Sequence, residues 1–239
     1  MRYVGIDLAW GERSPTGVAV LDADGALLRV GAARSDDDVV ALVGDAAPDC
    51  VAGIDAPLVV VNPTGSRPAE QALGRDFRRF QAGCHPSNTG KPEFAHGTRG
   101  ARIADRLGLP IDPFGTGPRA LEVYPHAATV ALFDLPRILR YKNKPGRDLA
   151  LLRAELLRLM LLIAEVVDVA SCPAWRDLLD RATGATTKAE LRRVEDPVDA
   201  VLCAHVARLA HLDPDAVVHY GEVATGVITT PGLPASRSL

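Results

Sequence analysis

Three short stretches set carboxylates into apolar surroundings. "YVGIDLAW" (3–10) closes a strand-like run on Asp7, and "VAGIDAPL" (51–58) repeats Gly-Ile-Asp with Asp55 in the same place. Side chains alternate along a strand, so Asp7 shares a face with Tyr3 and Gly5, and Asp55 with Val51 and Gly53. Parallel neighbours lie about 4.8 Å apart, so the two carboxylates can face each other at the carboxyl edge of a sheet, where open α/β sheets bind ligands. Close buried carboxylates repel unless one is protonated or a cation bridges them. Hard oxygen donors of this kind select Mg²⁺ or Mn²⁺, and the glycine two residues before each Asp leaves room for a metal or a substrate backbone. For either residue alone a competing reading stands: an Asp that ends a strand and caps the following turn.

The third stretch, "EDPVDAVLCAHVARLAHL" (195–212), has helical spacing. Asp196 and Asp199 project from one side of its first turn. Asp196 is a natural N-cap, Pro197 fits the first helical position, and Asp199 suits the helix dipole. Capping and metal ligation are compatible, because a cap fixes the position of a neighbouring ligand. Small residues, Ala200, Cys203 and Ala204, follow on the helix and permit close packing against a sheet.

These residues need elements to hold them. "YVGIDLAW", "TGVAVLD" and "ALLRVGAA" read as three strands, the last two joined by an Asp24-Gly25 hairpin turn. "SDDDVVALVGDAA" follows as a short helix capped by Ser35 or Asp36, and "DCVAGIDAPLVVV" returns as a strand. A meander plus a right-handed crossover makes a mixed sheet. Residues 62–119 are rich in Gly, Pro and Arg, an irregular insert with two short helices. "RALEVYPHAATVALF" is a strand that Pro125 stops, running into a helix. Helices are expected over 147–169 and 173–182, and a hairpin-like pair over 216–230.

The chain has 239 residues, enough for one sizeable core, and we read it as a single α/β domain over 1–239. Its start lacks the charged and unbroken apolar regions of a signal peptide. Arg158, Glu165 and Asp168 interrupt the most apolar run, so no membrane partner is expected. Four cysteines without framework spacing point to a reducing cytoplasm. The net charge of −3 hides a pattern: residues 67–194 carry 21 basic and 14 acidic side chains, between acidic ends. Such a division suits either a carboxylate centre beside a polyanion-binding wall or an ordinary mixed surface.

In order along the chain, "GIDLAW…TGVAVLD", "GIDAPL", "EVYPHAA" and "DPVDAVLCAHVA" resemble a bacterial and archaeal family, domain of unknown function 429, predicted to have an RNase H-like nuclease fold. The Asp-x-x-Asp-Ala helix opening is also similar to that of RuvC-type resolvases. The resemblance covers nearly the whole chain and implies a five-stranded mixed sheet whose second strand is antiparallel. It implies Asp7 as the first-strand ligand, Asp55 as the fourth-strand ligand, and Asp199, with Asp196 beside it, as the helix ligand. RuvC-type enzymes more often carry Glu at the fourth-strand position. The implied chemistry is two-metal phosphodiester hydrolysis with Mg²⁺ or Mn²⁺, Asp7 bridging the metals and a nucleic acid as partner.

Basic residues that would hold flanking phosphates are Arg75 and Arg79 in the insert, and Arg140, Lys142 and Lys144 in "RILRYKNKPGR" (137–147). Tyr141 in that segment is either a base-stacking or a packing residue. Glu122 in "LEVYPH" is either an additional acid at the site or the ion-pair partner of an insert arginine. His126 is a proton shuttle or a helix-start histidine. Cys84, His85 and His96 lack a fourth zinc ligand at standard spacing. Two other functions fit the same pattern: an ATP-dependent phosphotransferase of the actin and sugar-kinase type, and a non-catalytic descendant of the fold that binds nucleic acid or protein.

Overall fold

The structure, a computed structural model, describes residues 1–11 and 14–234. Its strands are β1 (Arg2–Asp7), β2 (Thr16–Leu21), β3 (Leu27–Ala33), β4 (Cys50–Ile54), β5 (Arg119–Val123), β6 (Val217–Glu222) and β7 (Gly226–Pro231). They form one mixed sheet in the order β3-β2-β1-β4-β5-β7-β6. β1, β4, β5 and β7 run parallel, while β2 pairs antiparallel with both β1 and β3. The sheet thus has seven strands rather than the five expected. The additional two are the 216–230 hairpin, which joins the sheet through β7 beside β5. Its sequence marks the turn but carries no sign of the distant strand it pairs with.

The helices are α1 (Asp36–Val43), α2 (Pro68–Phe77), α3 (Arg99–Arg106), α4 (Pro125–Leu132), α5 (Leu149–Val166), α6 (Pro173–Gly184) and α7 (Lys188–Leu212). Ser35 caps α1 in a reciprocal box with Asp38, as its acidic first turn suggests. Strand alternation sends Tyr3, Val51, Leu121 and Val123 to one face, where α5, α6 and α7 cover them. Val4, Ile6, Ala52 and Ile54 face the other way and pack on α1 and α3. The insert is therefore more than a loop. Ile103 and Ala104 of α3 complete the second core layer, and Leu73 and Phe77 of α2 build a third cluster with α4 and β7. Among the described residues no helix is long and apolar enough to cross a membrane.

The last large helix differs from expectation at its start. α7 begins after Thr187, whose side chain accepts from the Glu190 N–H while Glu190 reaches back, and it runs unbroken to Leu212. Asp196 is consequently no N-cap, and Pro197 lies inside the helix. An interior proline removes one helical hydrogen bond and costs about 3 kcal/mol in an isolated helix. Here the extensive burial of α7 offsets it: nearly every residue from Val194 to Ala207 is buried.

That burial depends on three glycines. A Cβ added at Gly5 would lie 1.8 Å from the Ala200 carbonyl oxygen, one at Gly17 1.9 Å from that of Asp196, and one at Gly53 2.4 Å from that of Cys203. Gly5 and Gly53 are register partners in β1 and β4, and Gly17 of β2 pairs with Asp7. Together they form a notch across three strands in which the backbone of α7 rests. The glycines of the Gly-Ile-Asp pair thus admit a helix, where the sequence suggested a metal or a substrate backbone.

Gly5→Ala should therefore destabilise the protein by about 3 kcal/mol or more, the upper end of overpacking costs, in urea unfolding. Gly117→Ala, where nothing lies within 4 Å of the added carbon, should stay within about 0.5 kcal/mol. Equal midpoints for the two variants would refute the helix-seating role.

Candidate carboxylate site

β1 and β4 end side by side, with Ile6 opposite Ile54. The Asp55 N–H donates to the Ile6 carbonyl at 2.8 Å, extending the ladder by one residue and setting Asp55 next to Asp7. The loop after β1 is held by buried Arg99, which donates to the carbonyls of Ala9 (2.8 Å) and Gly11 (3.1 Å) and pairs with Asp36 at 2.8 Å. Because α7 lies in the glycine notch on the same face, it brings Asp196 and Asp199 to this rim. It also brings Glu195, four residues before Asp199 and on the same side of the helix. Glu195 was missed as a site residue; its i,i+4 spacing to Asp199 was the available signal.

Lys142 enters the middle of this cluster. Its ammonium lies 2.6 Å from Asp199 Oδ2, 3.4 Å from Asp196 Oδ1, 3.5 Å from Asp7 Oδ2 and 4.0 Å from Glu195 Oε2. The sequence placed Lys142 on a phosphate-binding track; the fold makes it the counterion of the acids. Tyr141 next to it is fully buried, with its hydroxyl donating to Asp199 Oδ1 at 2.7 Å. It is thus a positioning residue for Asp199, and burial removes it from any role in base stacking.

One ammonium does not balance five carboxylates. Burial pushes Asp7 well up from the ordinary carboxylate range; Lys142 opposes this, and Asp199, Asp55 and Asp196 add to it. Burial and the Asp199 charge push Asp55 to about 8. Glu195 rises to about 7, chiefly by burial, and Asp196 also rises for that reason. Burial works to lower Lys142, but the charges of Asp199 and Asp7 override it and hold the lysine well above its usual value, hence charged. Asp7 Oδ2 and Glu195 Oε1 are buried without a hydrogen-bond partner. Such atoms normally find a partner.

A hard divalent cation suits these donors chemically: all are carboxylate oxygens, two make no hydrogen bond, and mutual repulsion raises their proton affinity. In the arrangement seen here the lysine takes the central place. Among the described residues no three His, Cys, Asp or Glu side chains stand close enough to hold one metal ion.

The remaining candidates divide. A cavity of about 410 Å³ opens over Asp7 and Asp55, and Lys142, Lys144, His126 and Glu122 line it. Glu122, one residue out of phase with Asp55 in the β4–β5 register, leaves its strand on the other face. There Arg67 holds it at 2.5 and 2.9 Å, and the Leu58 N–H donates to it at 2.9 Å. It is the partner of an insert arginine. His126 opens α4 with its ring 5.8 Å from those of Tyr124 and Tyr141, and burial lowers it to about 4, so it is neutral at pH 7. Arg75 and Arg79 are exposed on and just beyond α2, away from this cavity, and Arg79 lies over the Phe80 ring. Arg140 stands outside the cavity lining, and its backbone N–H donates to Glu155 at 2.8 Å. Cys84 and His85 line the cavity, whereas exposed His96 does not.

A family model described as "Protein of unknown function (DUF429)" matches residues 5–225, and the chain belongs to that family. No curated protein and no solved structure matches it.

The charge imbalance has a signed consequence. Between about pH 4, where an unfolded Asp titrates, and about 8, where native Asp55 does, the native state keeps a proton that the unfolded chain has released. Stability therefore falls as pH rises through this window. In chelator, Asp55→Asn should melt several degrees above the wild type at pH 8 and level with it at pH 4. Identical differences at both pH values would refute the crowding of charge at Asp55.

Proposed function

We propose that this chain is a metal-dependent nuclease of RNase H-like type that hydrolyses phosphodiester bonds. The observation that carries the reading is the convergence of Asp7, Asp55 and Asp199 from β1, the end of β4 and α7 on one rim of the sheet. The strand order β3-β2-β1-β4-β5, with β2 reversed, supports it. So do the sequence resemblance and the excess of negative charge, which exceeds what Lys142 neutralises.

In this reading Asp7, Asp55 and Asp199 would hold Mg²⁺ or Mn²⁺ once Lys142 leaves the centre of the cluster and the carboxylates draw together, with Asp196 and Glu195 adding negative charge behind them. Bound there, such a cation would neutralise phosphoryl charge and lower the pKa of a water enough for attack near neutral pH. Hydrolysis forms a bond between the water oxygen and phosphorus, breaks one phosphorus–ester oxygen bond, and passes a proton to the departing alkoxide. His126 is on the cavity wall, but burial lowers it to about 4, so it stays neutral near pH 7 and offers the site an uncharged ring nitrogen and no ready proton. Tyr141 fixes the Asp199 carboxylate so that its second oxygen faces the cluster. Lys144 at the cavity offers an ammonium group to phosphate oxygens, while Lys142 serves the acids.

The pairing of Lys142 with Asp199 favours one competing reading, a non-catalytic binding protein whose acids are structural. Manganese-dependent loss of a labelled oligonucleotide separates the two. Asp7→Asn should reduce that cleavage by more than the roughly 10–100-fold that loss of an outer-shell partner costs, with unchanged circular dichroism. Cleavage at the wild-type rate by a folded Asp7→Asn protein, or none by the wild type across Mg²⁺ and Mn²⁺, would exclude the nuclease.

A further inference from the structure

A cavity of about 740 Å³ lies beside the carboxylate rim, between β3, α6 and α7. Its size is that of a ligand site. Arg34, Arg181, Arg192 and Arg193 line it, against the acids Asp177 and Asp196. Among the described residues none of the four guanidinium groups takes part in a hydrogen bond or an ion pair. Elsewhere on the surface this chain does pair its arginines: Arg2 and Arg29 both hold Asp45, and Arg106 holds Asp37.

Two features give this cavity direction. Asp196, part of its wall, is also a member of the acid cluster through Lys142, so the cavity begins where the carboxylate rim ends. At its other side Arg181 and Arg193 also line a second cavity of about 470 Å³, which continues between α6 and the first turn of α7. Its acids are Asp180 and Glu190, and Glu190 is already engaged with the N–H groups of Thr186 and Thr187. The result is an extended groove with spaced guanidinium groups and an apolar floor that includes Leu178, Ala189 and Pro197. A single small anion needs one fork of donors; arginines spaced over two adjoining cavities with no hydrogen bond to hold them, Arg192 acting only at a distance on Glu195 and Asp196, suit a chain of phosphates.

We propose that this groove binds the backbone phosphates of a nucleic-acid strand, leading them past Asp196 to the carboxylate rim; the assignment rests on the nuclease reading for the strand's destination but not for its binding. The phosphate contacts thereby move from Arg75, Arg79 and Arg140 to the arginines that line the cavity beside Asp196.

The test is binding without turnover. In chelator, a fluorescently labelled 15-nucleotide single strand is titrated with the wild type, with R181A/R192A/R193A, with the same three positions changed to Lys, and with R158A, an exposed arginine of α5. We expect the triple Ala variant to bind at least about 10-fold more weakly. Its slope of log affinity against log salt should be shallower by about 2, at roughly 0.7 per contacted phosphate. The Lys variant should recover most of the slope, and R158A should match the wild type. No binding by the wild type, or an unchanged slope in a folded triple Ala variant, overturns the groove. Competition by inorganic phosphate or a nucleoside monophosphate as tight as by the oligonucleotide overturns the strand in favour of a small-anion site. Manganese-dependent cleavage is measured separately: binding with no cleavage removes the nuclease reading and leaves the groove standing, while cleavage with an unchanged triple Ala slope does the reverse.

Discussion

The arrangement of this protein depends on how closely one helix lies on one sheet. A helix packed on a strand through side chains keeps the two backbones well apart, and its carboxylates then project over the sheet. α7 instead rests on bare backbone at Gly5, Gly17 and Gly53, where even one methyl group would strike its carbonyls. Close seating sets Asp199 at the depth of Asp7 and Asp55, and it sets the helix axis across β2, β1 and β4 so that Asp196 and Glu195 follow. The interior Pro197 is tolerated for the same reason. A helix so fully enclosed gains far more from burial than one missing hydrogen bond removes.

Seating the helix this way concentrates negative charge, and the fold has to answer for it. Lys142 is the answer visible in the structure, delivered by a segment with little regular structure and fixed by buried Tyr141. A lysine on an irregular connection is an adaptable counterion: its stem is flexible and its charge is compact. It satisfies Asp199 closely and the other acids poorly, as the unpartnered Asp7 Oδ2 records. The cluster is therefore held together while retaining an appetite for further positive charge, whether protons or a divalent ion.

Much of this was legible in the sequence, for local reasons. The Gly-Ile-Asp echo marks two strands ending alike, and the meander-plus-crossover pattern leaves them parallel neighbours, so the pairing of Asp7 with Asp55 follows. What was not legible depended on distant partners. The glycines look like openings for a ligand because the helix that fills the notch lies about 150 to 200 positions further along the chain. Asp196-Pro197 is a persuasive helix start in isolation, yet the Thr187–Glu190 box upstream is also a start, and only tertiary burial lets the helix run through the proline. Lys142 sits in a segment without periodicity, so nothing local distinguished a counterion from a solvated base. The hairpin at 216–230 carried its turn signal but no register.

The two buried acid networks on opposite faces of the sheet separate a structural role from a functional one on physical grounds. Around Arg67, Glu122 and Glu70 are satisfied: the guanidinium serves both carboxylates, and the N–H groups of Leu58, Ser87 and Arg67 itself supply the remaining donors. Such a network ties the insert to β5 and has no capacity left for a ligand. One strand face away, five carboxylates share a single ammonium, and Asp7 Oδ2 and Glu195 Oε1 are buried without a hydrogen bond, the first 3.5 Å from that ammonium. A purely structural cluster would be more stable with fewer acids or more donors, since each buried oxygen without a hydrogen bond carries a desolvation cost that one shared ammonium offsets only in part. The same chain builds a complete network a few ångströms away, so the incompleteness at Asp7 is a property of that site rather than of the fold. An incomplete, negatively charged cluster at the carboxyl edge of a sheet keeps an affinity for further positive charge that the network around Arg67 does not have.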